Sequence, residues 1–235
     1  MMGIAKRIGW GVAALSIAIG MMGKAMADPV IWTDWTAGVA GESGSATGIL
    51  NIEGTPVVVT YTGEIAFLQT DGGTDYWNPS APYVSDSVDN APTTSDIIAL
   101  SRATTKTITF SQAVTNPLFA VVSLNGNGYR FDRDFEVVSS GAGYFGDGTL
   151  TKEVGAGFFQ LNGTGEPHGV IEFQGTFTSI SWTSLTDEYW NGFTIGVRGL
   201  APTAAVPEPA SLAMLGTGAL GLLGYARRRK AKATA

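Results

Sequence analysis

Polar and apolar residues alternate through much of the middle of this 235-residue chain. Thr107-Ile108-Thr109-Phe110 is the clearest case. A period of two is that of a strand with one face in a core and the other in water. Residues 57–61, 64–68, 118–122, 169–173, 179–182 and 193–197 form further strand-like runs, with weaker ones at 97–100, 130–138 and 157–161. They are separated by stretches rich in Gly, Asn, Asp and Pro, and no segment between them sustains a helical period. The pattern predicts an all-β, antiparallel sandwich, jelly-roll-like in form, with no internal repeat to divide it.

Both ends of the chain break this pattern. Lys6 and Arg7 precede an uncharged apolar stretch over 9–22, and Ala25-Met26-Ala27 gives a small-residue cleavage site, so a signal peptide is expected over 1–27. Its partners are the Sec translocon and signal peptidase, and the mature chain begins at Asp28. At the other end, 212–226 carries no charge until Arg227. Those fifteen residues span roughly 22 Å as a helix, short of the usual ~20-residue membrane span. Arg227, Arg228, Arg229 and Lys230, with Lys232 beyond them, favour a stop-transfer reading because such clusters stay on the cytoplasmic side and their long stems reach the interface. Before the apolar stretch, Val206-Pro207-Glu208-Pro209 is held extended by its two prolines, in the form a protease cleft accepts. The expected organisation is a signal peptide at 1–27, a β-sandwich ectodomain at 28–200, a linker at 201–205, and a C-terminal segment at 206–235 with a transmembrane helix over 211–226.

The order Pro-Glu-Pro, short apolar helix and terminal basic cluster resembles the PEP-CTERM sorting signal of Gram-negative bacteria. The resemblance implies export, a transient inner-membrane anchor, processing by the membrane protease exosortase, and a final place at the cell surface or outside the cell. Trp32-Thr33-Asp34-Trp35-Thr36, Thr107-Ile108-Thr109-Phe110, Asn116-Pro117 and Gly175-Thr176-Phe177-Thr178-Ser179-Ile180-Ser181-Trp182 are similar to an ectodomain type recurrent among such proteins, which implies a fold and a location but no activity. The setting of these systems implies a structural or interaction role linked to exopolysaccharide.

Charge sharpens the picture. Eight of the 14 basic residues lie in the two end segments, leaving residues 28–206 with six basic against 19 acidic side chains, a net of −13. A surface so acidic lacks the Lys/Arg clusters that phosphate neutralisation needs, which argues against nucleic acid as a partner. Without cysteine there is no disulfide, thiolate nucleophile or thiolate metal site, so stability must come from a packed core.

Candidate chemistry is sparse. His168, the sole histidine, stands in Gly165-Glu166-Pro167-His168-Gly169, where it is read as a turn residue capping backbone groups, with a general acid–base pairing to Glu166 as the sharper alternative. No Gly-x-Ser-x-Gly elbow is present, and the chain is not expected to be an enzyme. Asp132, Asp134 and Glu136 would share one face of a continuous strand and could offer oxygen ligands to Ca²⁺, the basis of a calcium-dependent adhesin reading; otherwise no cofactor is expected. Asp71-Gly72-Gly73-Thr74-Asp75 lacks the ligand order of an EF-hand and reads as a turn. Tyr76-Trp77-Asn78 and Tyr189-Trp190-Asn191 repeat an aromatic pair followed by an amide, beside acids, which is the chemistry that stacks on and hydrogen-bonds to sugar rings. They define the carbohydrate-binding, lectin-like alternative.

Overall fold

A computed structural model describes residues 29–202 and, from the C-terminal segment, 214, 217–220 and 222. Among these residues it has sixteen strands: β1 (Ile31–Trp32), β2 (Asp34–Val39), β3 (Gly41–Ile52), β4 (Thr55–Ile65), β5 (Phe67–Gln69), β6 (Ile97–Leu100), β7 (Thr105–Thr115), β8 (Leu118–Val122), β9 (Gly128–Phe131), β10 (Phe135–Gly141), β11 (Gly148–Gly155), β12 (Phe158–Gly165), β13 (His168–Phe173), β14 (Thr176–Ser184), β15 (Asn191–Val197) and β16 (Gly199–Leu200). Every pairing is antiparallel. The strands form a seven-stranded sheet, ordered β10-β13-β8-β15-β6-β5 with β1 beside β15, and a nine-stranded sheet, ordered β11-β12-β9-β14-β7-β4-β3-β2 with β16 beside β7. The expected all-β sandwich is what forms.

The two sheets differ in sequence because they differ in burial. β3 and β7 alternate, with inward residues such as Leu50, Ile108 and Phe110 in the core and outward Thr and Ser in water. β6, β8, β13 and β15 are buried at every position. The seven-stranded sheet is covered on both faces: by the nine-stranded sheet on one side, and by the 70–96 connection on the other, where Trp77, Tyr83 and Val88 pack on Leu118, Ala120, Val122 and Val170. Continuous apolar runs are the expected signature of such two-sided burial.

Between the sheets lies an aromatic core. Phe119 and Phe193 stack at 4.7 Å, and Trp182 meets them edge-on at 5.0 and 5.2 Å. Tyr61, Tyr129 and Phe131 close the cluster from the nine-stranded sheet. Tyr61 hydrogen-bonds the Glu64 carbonyl at 2.6 Å, whereas the Trp182 indole nitrogen is the one buried side-chain polar atom without a partner among the described residues.

Three departures from the expected elements have physical causes. β2 and β3 are absent from the periodicity because the inward positions of β3 include Gly44, Ala46 and Gly48, too small to register as apolar. Gly48 is required there: a Cβ would stand 2.4 Å from the Thr33 Cγ2. The run expected at 64–68 divides at Ala66, and that expected at 130–138 divides at 132–134. At both points the chain leaves the nine-stranded sheet for the seven-stranded one.

The expected signal peptide with Ala25 and Ala27, the motif Val206 to Pro209 and the basic cluster Arg227 to Lys230 lie outside the described residues. Of the apolar segment expected over 211–226, the described residues are helical and exposed, and no helix among the described residues is long and apolar enough to cross a membrane.

Residues 28–205 alone are expected to give a cooperative unfolding transition and a far-ultraviolet circular dichroism spectrum of β type. Phe119→Ala should lower the unfolding free energy by about 3–5 kcal/mol, since it removes a ring from the centre of a packed core. A helical spectrum, or a Phe119→Ala variant as stable as wild type in urea, would contradict this packing.

Candidate functional site

The two aromatic triplets share one end of the sandwich but divide their members between core and surface. Trp77 is only 2% exposed. Its indole N–H donates to the Asp96 carbonyl at 3.2 Å and its ring stands edge-on to Tyr83 at 5.2 Å. Asn78 is exposed and precedes a cis proline, and Asn191 is buried. Tyr76 and Trp190 meet each other at 5.1 Å. Phe67 supports Trp190 from below at 4.9 Å, and Tyr189 stands 94% exposed beside it.

A further pair of rings, not singled out by the pattern, completes the cluster. Gly143 and Gly146 exchange backbone hydrogen bonds of 2.8 and 3.3 Å, closing a tight turn that presents Tyr144 and Phe145. These rings are 47% and 43% exposed, and both pack on Tyr76, at 5.0 and 5.8 Å, the second stacked. Phe145 also meets Trp190 at 5.3 Å. A Gly-Tyr-Phe-Gly sequence is the signal that sequence reading passed over, because two large rings in a two-residue turn have no core of their own to enter.

Beside the rings lies a cleft of about 250 Å³ lined by Ser123, Asn125, Phe145, Glu166, Glu188, Tyr189 and Trp190. Four connections meet there: β8 to β9, β10 to β11, β12 to β13 and β14 to β15. The registers bring them together, since the end of β10 pairs with the start of β13 and the start of β11 with the end of β12. Glu166 accepts hydrogen bonds from the Ser123 hydroxyl and, at 2.6 Å, from the Asn125 amide. Glu188 Oε1 accepts from the Asn127 amide at 2.9 Å and from the Asn191 amide. The Asn191 carbonyl oxygen in turn accepts from the buried Tyr129 hydroxyl. Asn127 is itself fixed, its Oδ1 receiving the backbone N–H groups of Gly128, Leu185 and Thr186. Burial raises the Glu188 pKa and the nearby Glu166 charge adds to this, against the lowering effect of the two amides. The cleft thus offers flat apolar faces beside oriented carboxylates, amides and a hydroxyl, an arrangement suited to polyhydroxylated rings.

His168 is not the turn residue the sequence suggested. It opens β13, fully buried. Its Nδ1 lies 2.8 Å from the Tyr83 hydroxyl and its Nε2 accepts the Phe145 N–H at 3.4 Å, so the neutral tautomer carries its proton on Nδ1 and donates to Tyr83. Glu166, bound to Ser123 and Asn125, is not its partner. The imidazole instead supports the aromatic turn: it stacks beneath Phe145, and a Cβ on Gly143 would come within 2.2 Å of its ring. Burial without a charged partner pushes its pKa down to about 4.

The acidic candidates do not assemble into one set. Asp134 and Glu136 both pair with Lys152, at 2.6 and 2.9 Å, and the Lys152 hydrogen bond holds Asp134 below the usual carboxylate range. Asp132 lines a separate groove with Arg130, whose guanidinium lies 4.2 Å from the Phe158 ring centre. Because the strand breaks at 132–134, the shared face expected for Asp132, Asp134 and Glu136 does not exist. Among the described residues no group of three or more His, Asp or Glu side chains is placed to hold a metal ion. The Asp71–Asp75 segment is a turn braced by Gln69, which donates to the Thr74 carbonyl at 2.9 Å. Lys106, fully buried with its pKa lowered by burial to about 8, spends its ammonium on the Arg102 and Thr104 carbonyls and the Ser184 hydroxyl.

Residues 205–230 match the PEP-CTERM protein-sorting motif. No curated protein and no solved structure matches the chain significantly.

The buried histidine sets a pH dependence. Its folded pKa lies below the ordinary value of 6.5, so the unfolded chain binds the proton first. The stability it contributes is complete above pH 6.5 and is lost as pH falls towards about 4, a change on the order of 2–3 kcal/mol. Asp96, raised to about 6 chiefly by burial, has the opposite sign over the acid part of that window. Comparing His168→Gln with wild type therefore isolates the histidine: on going from pH 7 to pH 4.5 the variant, which keeps the Asp96 contribution, should lose less stability, or gain more, in urea than wild type does. Equal slopes would contradict the buried neutral imidazole.

Proposed function

We propose that this chain is an exported surface protein, sorted and processed by exosortase through its PEP-CTERM motif, whose β-sandwich binds carbohydrate in the aromatic cleft. The observation that carries the second half is the convergence of Tyr76, Phe145, Tyr189 and Trp190 beside Glu166, Glu188 and Asn125 on one end of the sandwich. Half-exposed rings in a loop cluster cost solvation that the isolated protein does not recover, and they are the kind of patch that marks a binding site. We read the strand order β6-β15-β8-β13 against β7-β14-β9-β12 as a jelly roll, in which alternate strands cross between sheets and deliver their connections to a common end. A surface lectin-like module of this kind fits a role in exopolysaccharide attachment or organisation.

The sorting half rests on residues 205–230. Pro207 and Pro209 stand before an apolar segment whose described leucines, Leu220 and Leu222, are exposed, as suits a segment seated in a membrane. In this reading the signal peptide delivers the domain across the inner membrane, the C-terminal helix holds it there, and the basic cluster stays in the cytoplasm until processing releases the ectodomain.

Changing Pro207, Glu208 and Pro209 together to alanine should leave export intact and abolish C-terminal processing, so that uncleaved chain accumulates in the membrane fraction; a processed product of normal size would refute the sorting assignment. On a glycan array, the exported domain should bind a subset of oligosaccharides. Trp190→Ala should weaken that binding roughly ten-fold, the equivalent of about 1.4 kcal/mol for loss of a stacking face, measured at a temperature where the variant, which also loses packing on Phe67 and Tyr76, is fully folded. Absence of any glycan binding, or full binding by the Trp190→Ala variant, would count against the cleft.

A further inference from the structure

Resting on the carbohydrate reading of the cleft, we infer that the preferred ligand is a sugar chain bearing free amino groups, and that Glu188 receives the ammonium. The lining brings two carboxylates, Glu166 and Glu188, to one 250 Å³ cleft and contributes no cation to balance them. The basic side chains that follow Ser101, whose carbonyl accepts the Glu188 N–H at 3.1 Å, are committed elsewhere. Arg102 pairs with Asp187 at 3.3 Å, and Lys106 is buried against two carbonyls and a hydroxyl. A uronate, sulfate or phosphate group entering this cleft would face two like charges at short range with no partner, which costs affinity wherever water is excluded. A positive group finds the reverse.

The hydrogen bonds assign the receiving atom. Both amide donors on Glu188, from Asn127 and Asn191, go to Oε1. Oε2 accepts from neither, while both oxygens of Glu166 are engaged, one by Ser123 and one by Asn125. Glu188 is thus oriented through one oxygen and offers the other. Trp190 lines the same cleft, so a ring stacked on the indole can present an equatorial substituent to the carboxylate. An aromatic face beside a carboxylate is also the environment that favours an ammonium over a neutral amide. An N-acetylated sugar keeps the ring and loses the charge, so it should bind more weakly.

The test uses the full chain in detergent at physiological salt, titrated by calorimetry with four probes: a β-1,4-linked glucosamine tetramer, its N-acetylated form, a galacturonate tetramer and tetralysine. The glucosamine tetramer should bind about ten-fold more tightly than the N-acetylated form, with galacturonate weakest. Glu188→Gln keeps the acceptor for Asn127 and Asn191 and should erase that preference, so that the amino and N-acetylated tetramers bind alike. Glu53→Gln removes the same charge at the β3–β4 turn, at the opposite end of the sandwich, and should leave the preference intact. Equal binding of the amino and N-acetylated tetramers, tighter binding of galacturonate, an unchanged preference in Glu188→Gln, or tetralysine binding as well as glucosamine would each overturn the inference while leaving carbohydrate binding standing. Failure of all three sugars to bind would overturn both.

Discussion

The covering of the seven-stranded sheet by the 70–96 connection is the constraint on which the rest of the molecule depends. Without it, Leu118, Ala120, Val122 and Val170 would face water from strands that have no polar side to offer. The cover is held by a few directed bonds. Asn90 clasps Val30 through both backbone groups, at 2.8 and 3.0 Å, and takes the Trp32 indole N–H on its carbonyl at 3.1 Å. Asp96 accepts the Trp35 N–H at 2.9 Å on its carboxylate and the Trp77 indole N–H on its carbonyl. Apolar area supplies the affinity of the cover for the sheet, and these bonds fix where it lies.

The same cover builds the floor of the aromatic site. Trp77 packs on Tyr83, Tyr83 bonds His168, and His168 holds the backbone of Phe145. Each link passes inward to outward, from the packing beneath the 70–96 cover to the exposed rings. Trp77 thus supports the exposed rings from within the fold, and His168 supports them through hydrogen bonds at both ring nitrogens. A neutral imidazole is well suited to that post, because it donates from one nitrogen and accepts on the other and so satisfies a hydroxyl and an amide at once. On the opposite wall, Tyr129 and Asn127 do for Glu188 what His168 does for Phe145: buried groups set the direction of a surface one.

How far all this was legible follows from the same physics. β8 and the cores of β13 and β15 stood out as apolar runs, and β6 more weakly, because two-sided burial demands them. β3 did not, since its inward face uses Gly and Ala against the Trp35 side chain and its neighbours. The Tyr-Trp-Asn triplets come together at one end of the sandwich, yet their sequence could not reveal that Trp77 turns inward while Tyr76 turns out, because a connection lying across a sheet has no fixed period. Glu166, Glu188, Ser123 and Asn125 come from separate connections, and each reads locally as turn chemistry. Their meeting is a property of strand order, which is set by long-range pairing. The carboxylates of 132–136 show the converse error, where local alternation implied a common face that a change of sheet removes.

Buried side chains, in this view, hold a preformed aromatic and carboxylate cleft ready for a sugar ring. A crystal structure of the exported domain with the oligosaccharide it binds best would test this most directly. The expected result is a ring stacked on Trp190, a polar substituent within hydrogen-bonding distance of Glu188 Oε2, and Phe145 still bonded to His168 as in the free domain. A sugar bound elsewhere on the sandwich, or an aromatic turn that detaches from His168 to admit the ligand, would contradict it.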